Sequence, residues 1–301
     1  MDVSKPGFPP SAMESHPHER SRTALRTVKV AAALLLMKAL TYAFTSSAGI
    51  LGSTLDSMLD VLASLLVLMG VLAAERPADA DHPWGHGKAE SLASLAQAVF
   101  ILLSGLGLAI ETVQRFVNQE AEVRMQSLGI GTMVVSSAVT WWWVGHLKRA
   151  AAATDSPALE ADTLHYTSDL LMNAAVILGL ASSHFLDAAW PDLAVGLGIA
   201  LLILNTAREV LKKAVENLMD RGLDTEEAAT ILREVSRFAP AVGGFHDLRT
   251  RRSGRDIFLE IHLDMDRNLS FVEAHELSEK VGHAIETALP RSRVTVHADP
   301  L

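Results

Sequence analysis

The chain has 301 residues, 49% of them hydrophobic and 20% charged. That is too apolar for an ordinary soluble protein and too charged to lie wholly in a bilayer, so a membrane part and a soluble part are expected. The net charge of −9 gives nucleic acid no electrostatic foothold. Without cysteine, disulfides are excluded and any metal site must use nitrogen and oxygen ligands.

Residues 1–22 are rich in Pro, Ser and His and read as a flexible tail, in which His16 and His18 are weak candidates for touching metal. No apolar core followed by small residues suggests a removable signal peptide. Residues 23–212 contain six apolar runs. Val30–Gly49 carries Lys38, which either snorkels or pairs inside the bundle. Val61–Ala74 reaches bilayer length only by taking in Asp60 and Asp56. The run bracketed by Glu90 and Glu111 spans unaided, as does that between Arg124 and Lys148, broken only by His146. Leu170–Leu186 must take in Asp169 and His165, and Leu193–Ala207 extends past Asp192 and Arg208. The spans that carry ionisable residues are therefore the ones that need them for length.

Basic residues set the orientation. Arg20, Arg22, Arg26 and Lys29 precede the first span. Arg76 and Lys88 follow the second, Lys148 and Arg149 the fourth, and Arg208, Lys212 and Lys213 the sixth. The other side has Arg115, Arg124 and little else, so both termini should be cytoplasmic. The three tryptophans at 141–143 then fall in an interfacial belt, a structural role.

Residues 213–301 have the composition of a soluble domain. "DTEEAATILREVSRFAP" reads as an amphipathic helix capped by Asp224 or Thr225. "FHDLRTRRSG" and "RDIFLEIHLDMD" alternate as strands joined at Ser253-Gly254. A second helix starts at Ser270, and "SRVTVHADP" is a last strand. The order αββαβ suits a small α+β sandwich.

Asp56 and Asp60 are spaced i, i+4 on one span, and His165 and Asp169 likewise on another. At about 1.5 Å per residue, Asp56 and Asp60 lie roughly 10 and 16 Å from the outer side. His165 and Asp169 lie roughly 12 and 18 Å from the inner side. In a core of about 30 Å all four fall near the midplane, with Asp60 level with His165 and Asp56 with Asp169. An ionisable group in hydrocarbon is costly and marks function. Three carboxylates and an imidazole suit a tetrahedral site for a divalent cation, and the histidine favours Zn²⁺-like ions over Mn²⁺. Without a cation the carboxylates could not all stay ionised, so metal should exchange for protons. The competing reading is four separate polar contacts between helices.

Asp79, His82 and His86 in "PADADHPWGHGKAE" form a second candidate cluster, Gly85 and Gly87 letting the loop fold tightly, against a plain solvated loop. In the soluble domain His246, His262, His275, His297 and Asp299 are candidate ligands, with a carboxylate able to bridge two metals. His283 is set aside as exposed. The chain carries no His-Glu-x-x-His pair and no base beyond the ligands, so an intramembrane hydrolase lacks its machinery. The chain therefore reads as no enzyme; a membrane-tethered sensor would need only the soluble cluster.

The segments "LDSMLD", "DHPWGHGKAESLASLAQ", "EADTLHYTSD", "LMDRGL", "GFHDLRTRRSG", "EIHLDM", "EAHELS" and "VHADP" resemble the cation diffusion facilitators, among them the bacterial ferrous-iron/zinc efflux pumps. The resemblance runs from about residue 20 to the last. It implies a homodimer of six-helix protomers in the bacterial inner membrane, each with a metallochaperone-like cytoplasmic domain. It implies proton-coupled export by alternating access of divalent metal, Zn²⁺ first, with Fe²⁺, Cd²⁺ and Co²⁺ as alternatives; Zn²⁺ would also be structural or regulatory. The family's transport site maps onto Asp56, Asp60, His165 and Asp169, its loop site onto Asp79, His82 and His86. Its binuclear cytoplasmic site maps onto His246, His262, His275, His297 and a bridging Asp299. The resemblance also implies an intersubunit charge interlock of Lys88 with Asp220 and a gate at Leu164. Ala298 departs from the family, whose close members have Gln there; the change is mild if that position contributes only its backbone carbonyl, and weakens the second cytoplasmic metal if the side chain is a ligand.

Overall fold

The computed structural model describes residues 18–45, 48–118, 127–186 and 190–301; most of the expected tail, including His16, and Arg124 lie outside them. The chain divides into two units, Glu19–Met219 and one carrying Asp220–Leu301.

The first unit has six long helices: α1 (Glu19–Thr45), α2 (Ala48–Ala74), α3 (Lys88–Asn118), α4 (Ser127–Thr154), α5 (Pro157–Leu186) and α6 (Trp190–Leu218). At 1.5 Å per residue, the shortest, of 27 residues, is about 40 Å long, more than a hydrocarbon core requires. By length and composition, α1, α2, α3 and α6 are each apolar enough to cross a membrane. Phe44, Leu103, Leu201 and Met69 are exposed, as lipid-facing side chains are. Trp141 and Trp142 are exposed too, while Trp143 is buried. Close approach of α3 to α6 rests on two glycines. A Cβ on Gly196 would meet Thr112 at 2.5 Å, and one on Gly105 would meet Ile203 and Leu204 at 3.0 Å. Between helices in lipid, small residues permit the van der Waals packing that replaces a hydrophobic drive.

Helix α1 starts at Glu19, so residues 19–22 are helical where composition suggested tail. The reason is an ion pair. Arg20, 6% exposed, binds Glu90 of α3, itself fully buried. The other Glu90 oxygen accepts from Ser156 Oγ at 2.5 Å, ahead of α5, and Arg20 Nε lies 3.9 Å from Glu75 after α2. Helix α6 continues to Leu218, past the composition change at 212.

The second unit is the expected αββαβ: α7 (Thr225–Ser236), β1 (Val242–Ser253), β2 (Asp256–Met265), α8 (Phe271–Ala288) and β3 (Ser292–Pro300). Strands β1 and β2 are antiparallel and turn at Gly254, whose φ of +61° suits glycine. Strand β3 runs parallel to β2, a pairing that requires the crossover through α8. Leu259, Ile261, Leu263 and Met265 alternate into a core with Ile231 and Val235 of α7 and Val281 and Ile285 of α8. The intervening residues of β2, including His262 and Asp264, fall on the opposite face.

Both soluble helices carry capping boxes. Asp224 accepts from the backbone of Glu226 and Glu227, and Ser270 from that of Glu273. Asp224→Ala should cost about 1 kcal/mol of local stability. Hydrogen exchange of the α7 amides is expected to quicken roughly fivefold, while α8 is unchanged.

Candidate metal sites

Asp60 on α2 and His165 and Asp169 on α5 converge. His165, 3% exposed, places Nε2 3.5 Å from Asp60 Oδ1 and 3.9 Å from Asp169 Oδ2. Those gaps are too long for good hydrogen bonds. Neither ring nitrogen of His165 nor Oδ2 of Asp169 has a hydrogen-bond partner among the described residues. Buried polar atoms left so are expensive. Ligands of a tetrahedral ion at 2.0–2.1 Å stand about 3.3 Å apart, close to the spacing of this trio, so its donors fit a divalent ion. Asp56 is on the same face of α2 one turn earlier, but it is exposed and outside the convergent group. The rings of Tyr166 and Phe100 flank His165 at 5.5 and 6.4 Å, and Ser64 hydrogen-bonds the Tyr166 hydroxyl at 2.8 Å. Leu164 packs against the core that α3, α5 and α6 share, which includes Ile101 and Ile203.

Lys38 does not snorkel; its Nζ donates to Ser57 Oγ at 2.7 Å and to the Ser53 carbonyl at 3.3 Å, both on α2. One polar pair escaped sequence reading. Asp162, fully buried one turn before His165, accepts from Gln97 Nε2 of α3 at 2.8 Å. Its Oδ2 and Gln97 Oε1 have no hydrogen-bond partner among the described residues. The clue available was a carboxylate in register with His165 and Asp169 on the same helix.

The loop before α3 is built rather than loose. Asp79 Oδ1 accepts from the backbone of His82 at 2.7 Å and of Asp81 at 3.1 Å. The amide of Gly85, at a φ of +80°, donates to the His82 carbonyl. Asp79 lies 3.3 Å from His82 Nδ1 and 3.4 Å from His86 Nε2, so the three side chains meet. The backbone bond from His82 holds the Asp79 carboxyl below its ordinary range. Next to this loop, Lys88 Nζ donates to the Leu218 carbonyl at 3.2 Å. Within the other unit, Asp220 lies 3.8 Å from Arg251.

In the second unit the strand register assembles the ligands. His246 pairs with His262, His262 with His297, and Asp264 with Asp299, all on the face opposite the core. Asp299 Oδ2 lies 2.8 Å from His262 Nδ1 and 3.3 Å from His246 Nε2, while Oδ1 lies 3.3 Å from His297 Nε2. The hydrogen bond from His262 keeps the Asp299 carboxyl below the usual carboxylate range. A carboxylate with one oxygen toward each histidine set has the shape of a bridge between two ions. His275 is not in the convergent trio of His246, His262 and Asp299; it lines, with His297 and Ala298, a cleft of roughly 540 Å³ beside α8. His283 is exposed. Asp264, missed in the sequence, stands 3.1 Å from His246 Nδ1. The strand alternation in "HLD" already placed it beside His262.

Residues 25–219 match the cation efflux transmembrane domain, and residues 223–301 the cytoplasmic domain of cation efflux proteins. The cation-efflux pump FieF of Klebsiella pneumoniae is 40% identical over 284 residues, covering 93% of this chain and 92% of the relative. FieF of Salmonella paratyphi A is 40% identical over 282 residues with the same coverage. Among solved structures, the metal-bound C-terminal domain of the CzcD transporter from Thermotoga maritima is 30% identical and covers 25% of this chain and 87% of that one, at a TM-score of 0.24. Matched in both of its units, and apolar along its helices, this chain belongs to the cation efflux family of multi-pass membrane transport proteins.

Proposed function

We propose that the chain exports divalent transition metals from the cytoplasm, Zn²⁺ foremost and Fe²⁺, Cd²⁺ or Co²⁺ as alternatives, in exchange for protons. The observation that carries this is the trio of Asp60, His165 and Asp169, buried donors spaced for a tetrahedral ion and otherwise unsatisfied. Asp56 completes the site by moving in when cargo binds, and Leu164 gates it. The ligands must shed protons to bind metal and regain them when it leaves, which couples the two fluxes. Alternating exposure of the site to the two sides then moves metal one way and protons the other. The active form is a homodimer in the bacterial inner membrane with both termini cytoplasmic, an orientation supported by the basic residues flanking α1, α2 and α6.

In the cytoplasmic domain, His246, His262, His297 and Asp299 would hold Zn²⁺ that is structural or regulatory, with His275 on the His297 side. Asp79, His82 and His86 would hold a further ion in the loop. The deciding experiment is metal uptake into proteoliposomes under an imposed pH gradient. Uptake that follows the gradient supports the reading, and gradient-independent binding without flux contradicts it. His165→Asp should shift preference from Zn²⁺ toward harder ions such as Mn²⁺, about tenfold in relative rate; an unchanged metal profile counts against His165 as a ligand.

A further inference from the structure

The geometry points to Lys38 as the resident counter-cation of the midplane site, a fixed charge that keeps the site's hold on metal weak enough for release. This rests on the transport site proposed above. Lys38 lies inside the apolar run that begins at Val30 of α1, where a lone ammonium is costly and persists only with partners. Its partners are the Ser57 hydroxyl, 1% exposed, and the Ser53 carbonyl. Ser53, Asp56, Ser57 and Asp60 recur at helical spacing, so they occupy one face of α2. The ammonium is therefore tied to the helix face that carries both aspartates. It is within electrostatic reach of Asp56 and also of Asp169 across on α5. Both of its partners are neutral acceptors, so hydrogen bonding to them leaves its charge uncancelled.

The charge count gives that placement a purpose. Asp56, Asp60 and Asp169 carry three negative charges when ionised. A divalent ion cancels two, and the third would remain in a low-dielectric setting. Lys38 cancels it, so the ion, its ligands and Lys38 together sum to zero, the state a bilayer tolerates best. When the ion leaves, Lys38 stays, because Ser57 and Ser53 tether it. It repels the cargo in both states without occupying a coordination position. A site built to pass ions on has to bind them well enough to enter and loosely enough to leave.

The test compares Lys38→Gln, Lys38→Met and Lys38→Arg in the full-length protein in proteoliposomes, with Zn²⁺ alone as the probe. Gln can still hydrogen-bond Ser57 but lacks the charge; Met lacks both; Arg keeps both. Gln and Met are expected to lower the KM for Zn²⁺ about tenfold and the maximal rate by a similar factor, with Arg close to the parent. Ser57→Ala, which loosens the tether and leaves the charge, should shift KM in the same direction by less. Wild-type behaviour of Lys38→Gln beside a defective Lys38→Met would assign the residue to helix packing and overturn the proposal. So would a raised or unchanged KM in both neutral variants. If a neutral variant does not reconstitute, equilibrium Zn²⁺ binding to detergent-solubilised Lys38→Arg and Ser57→Ala decides on the same criterion. Failure of the transport site itself would show separately, as Zn²⁺ flux surviving Asp60→Ala.

Discussion

Asp60→Ala or Asp169→Ala is expected to abolish metal flux into proteoliposomes, by more than about a hundredfold, while the protein stays folded and dimeric. The two carboxylates come from different helices and meet only at His165. The rings of Tyr166 and Phe100 flank His165 and supply no ligand, and the nearby carboxylate of Asp162 is engaged by Gln97. Removing either leaves the proposed site one ligand short of the four a closed tetrahedral ion takes. The fold should survive, because an unsatisfied carboxylate at membrane depth costs stability and its loss relieves that cost. Thermal denaturation in detergent should show an equal or higher midpoint for Asp169→Ala. Flux retained by either variant would remove that residue from the site, and an unfolded variant would contradict the account of an unsatisfied, metal-ready trio.

The second large effect is on stability. Glu90→Ala should destabilise the helical unit by about 3–5 kcal/mol, because it strands the buried guanidinium of Arg20. Glu90 is fully buried and joins α1, through Arg20, to the approach to α5, through Ser156. Glu90→Gln should cost less, since an amide keeps an acceptor for Arg20 and remains within reach of Ser156. The decisive variant is the double replacement Arg20→Met with Glu90→Leu. With both charges of the pair gone no guanidinium is stranded, and although the Ser156 hydroxyl loses its acceptor and Glu75 its cationic neighbour, much of the loss should be recovered. Denaturation midpoints of the single and double variants make the cycle. A double variant as unstable as Glu90→Ala would show that the cost lies in packing, not in an orphaned charge.

The alternation and capping signals of the soluble domain made its element order legible, because each signal is local. Relative level along the helices was legible too: counting residues levels Asp60 with His165, and these side chains lie 3.5 Å apart. Counting does not fix rotation about a helix axis or closeness across the bundle, so Asp56, level with Asp169 by the same arithmetic, stands outside the convergent group. Asp162 was opaque for a related reason: its partner Gln97 is polar but uncharged and lies on another helix. The start of α1 was misjudged from composition, since Arg20 looks like a tail residue until Glu90 is found beside it. Asp264 could have been read from strand alternation alone, had the search for ligands extended beyond histidine and the last aspartate.

The parallel pairing of β2 with β3 has a consequence for folding. His246, His262 and Asp299 come from three strands, and His262 meets Asp299 only after the chain has crossed back through α8. The unfolded chain therefore holds no such cluster, and an ion that binds it binds the native state alone. By mass action, free metal at a hundred times its dissociation constant adds about 2.7 kcal/mol to the stability of the domain. The cytoplasmic domain would then be firmest when metal is plentiful and most easily opened, and most exposed to proteolysis, when metal is scarce.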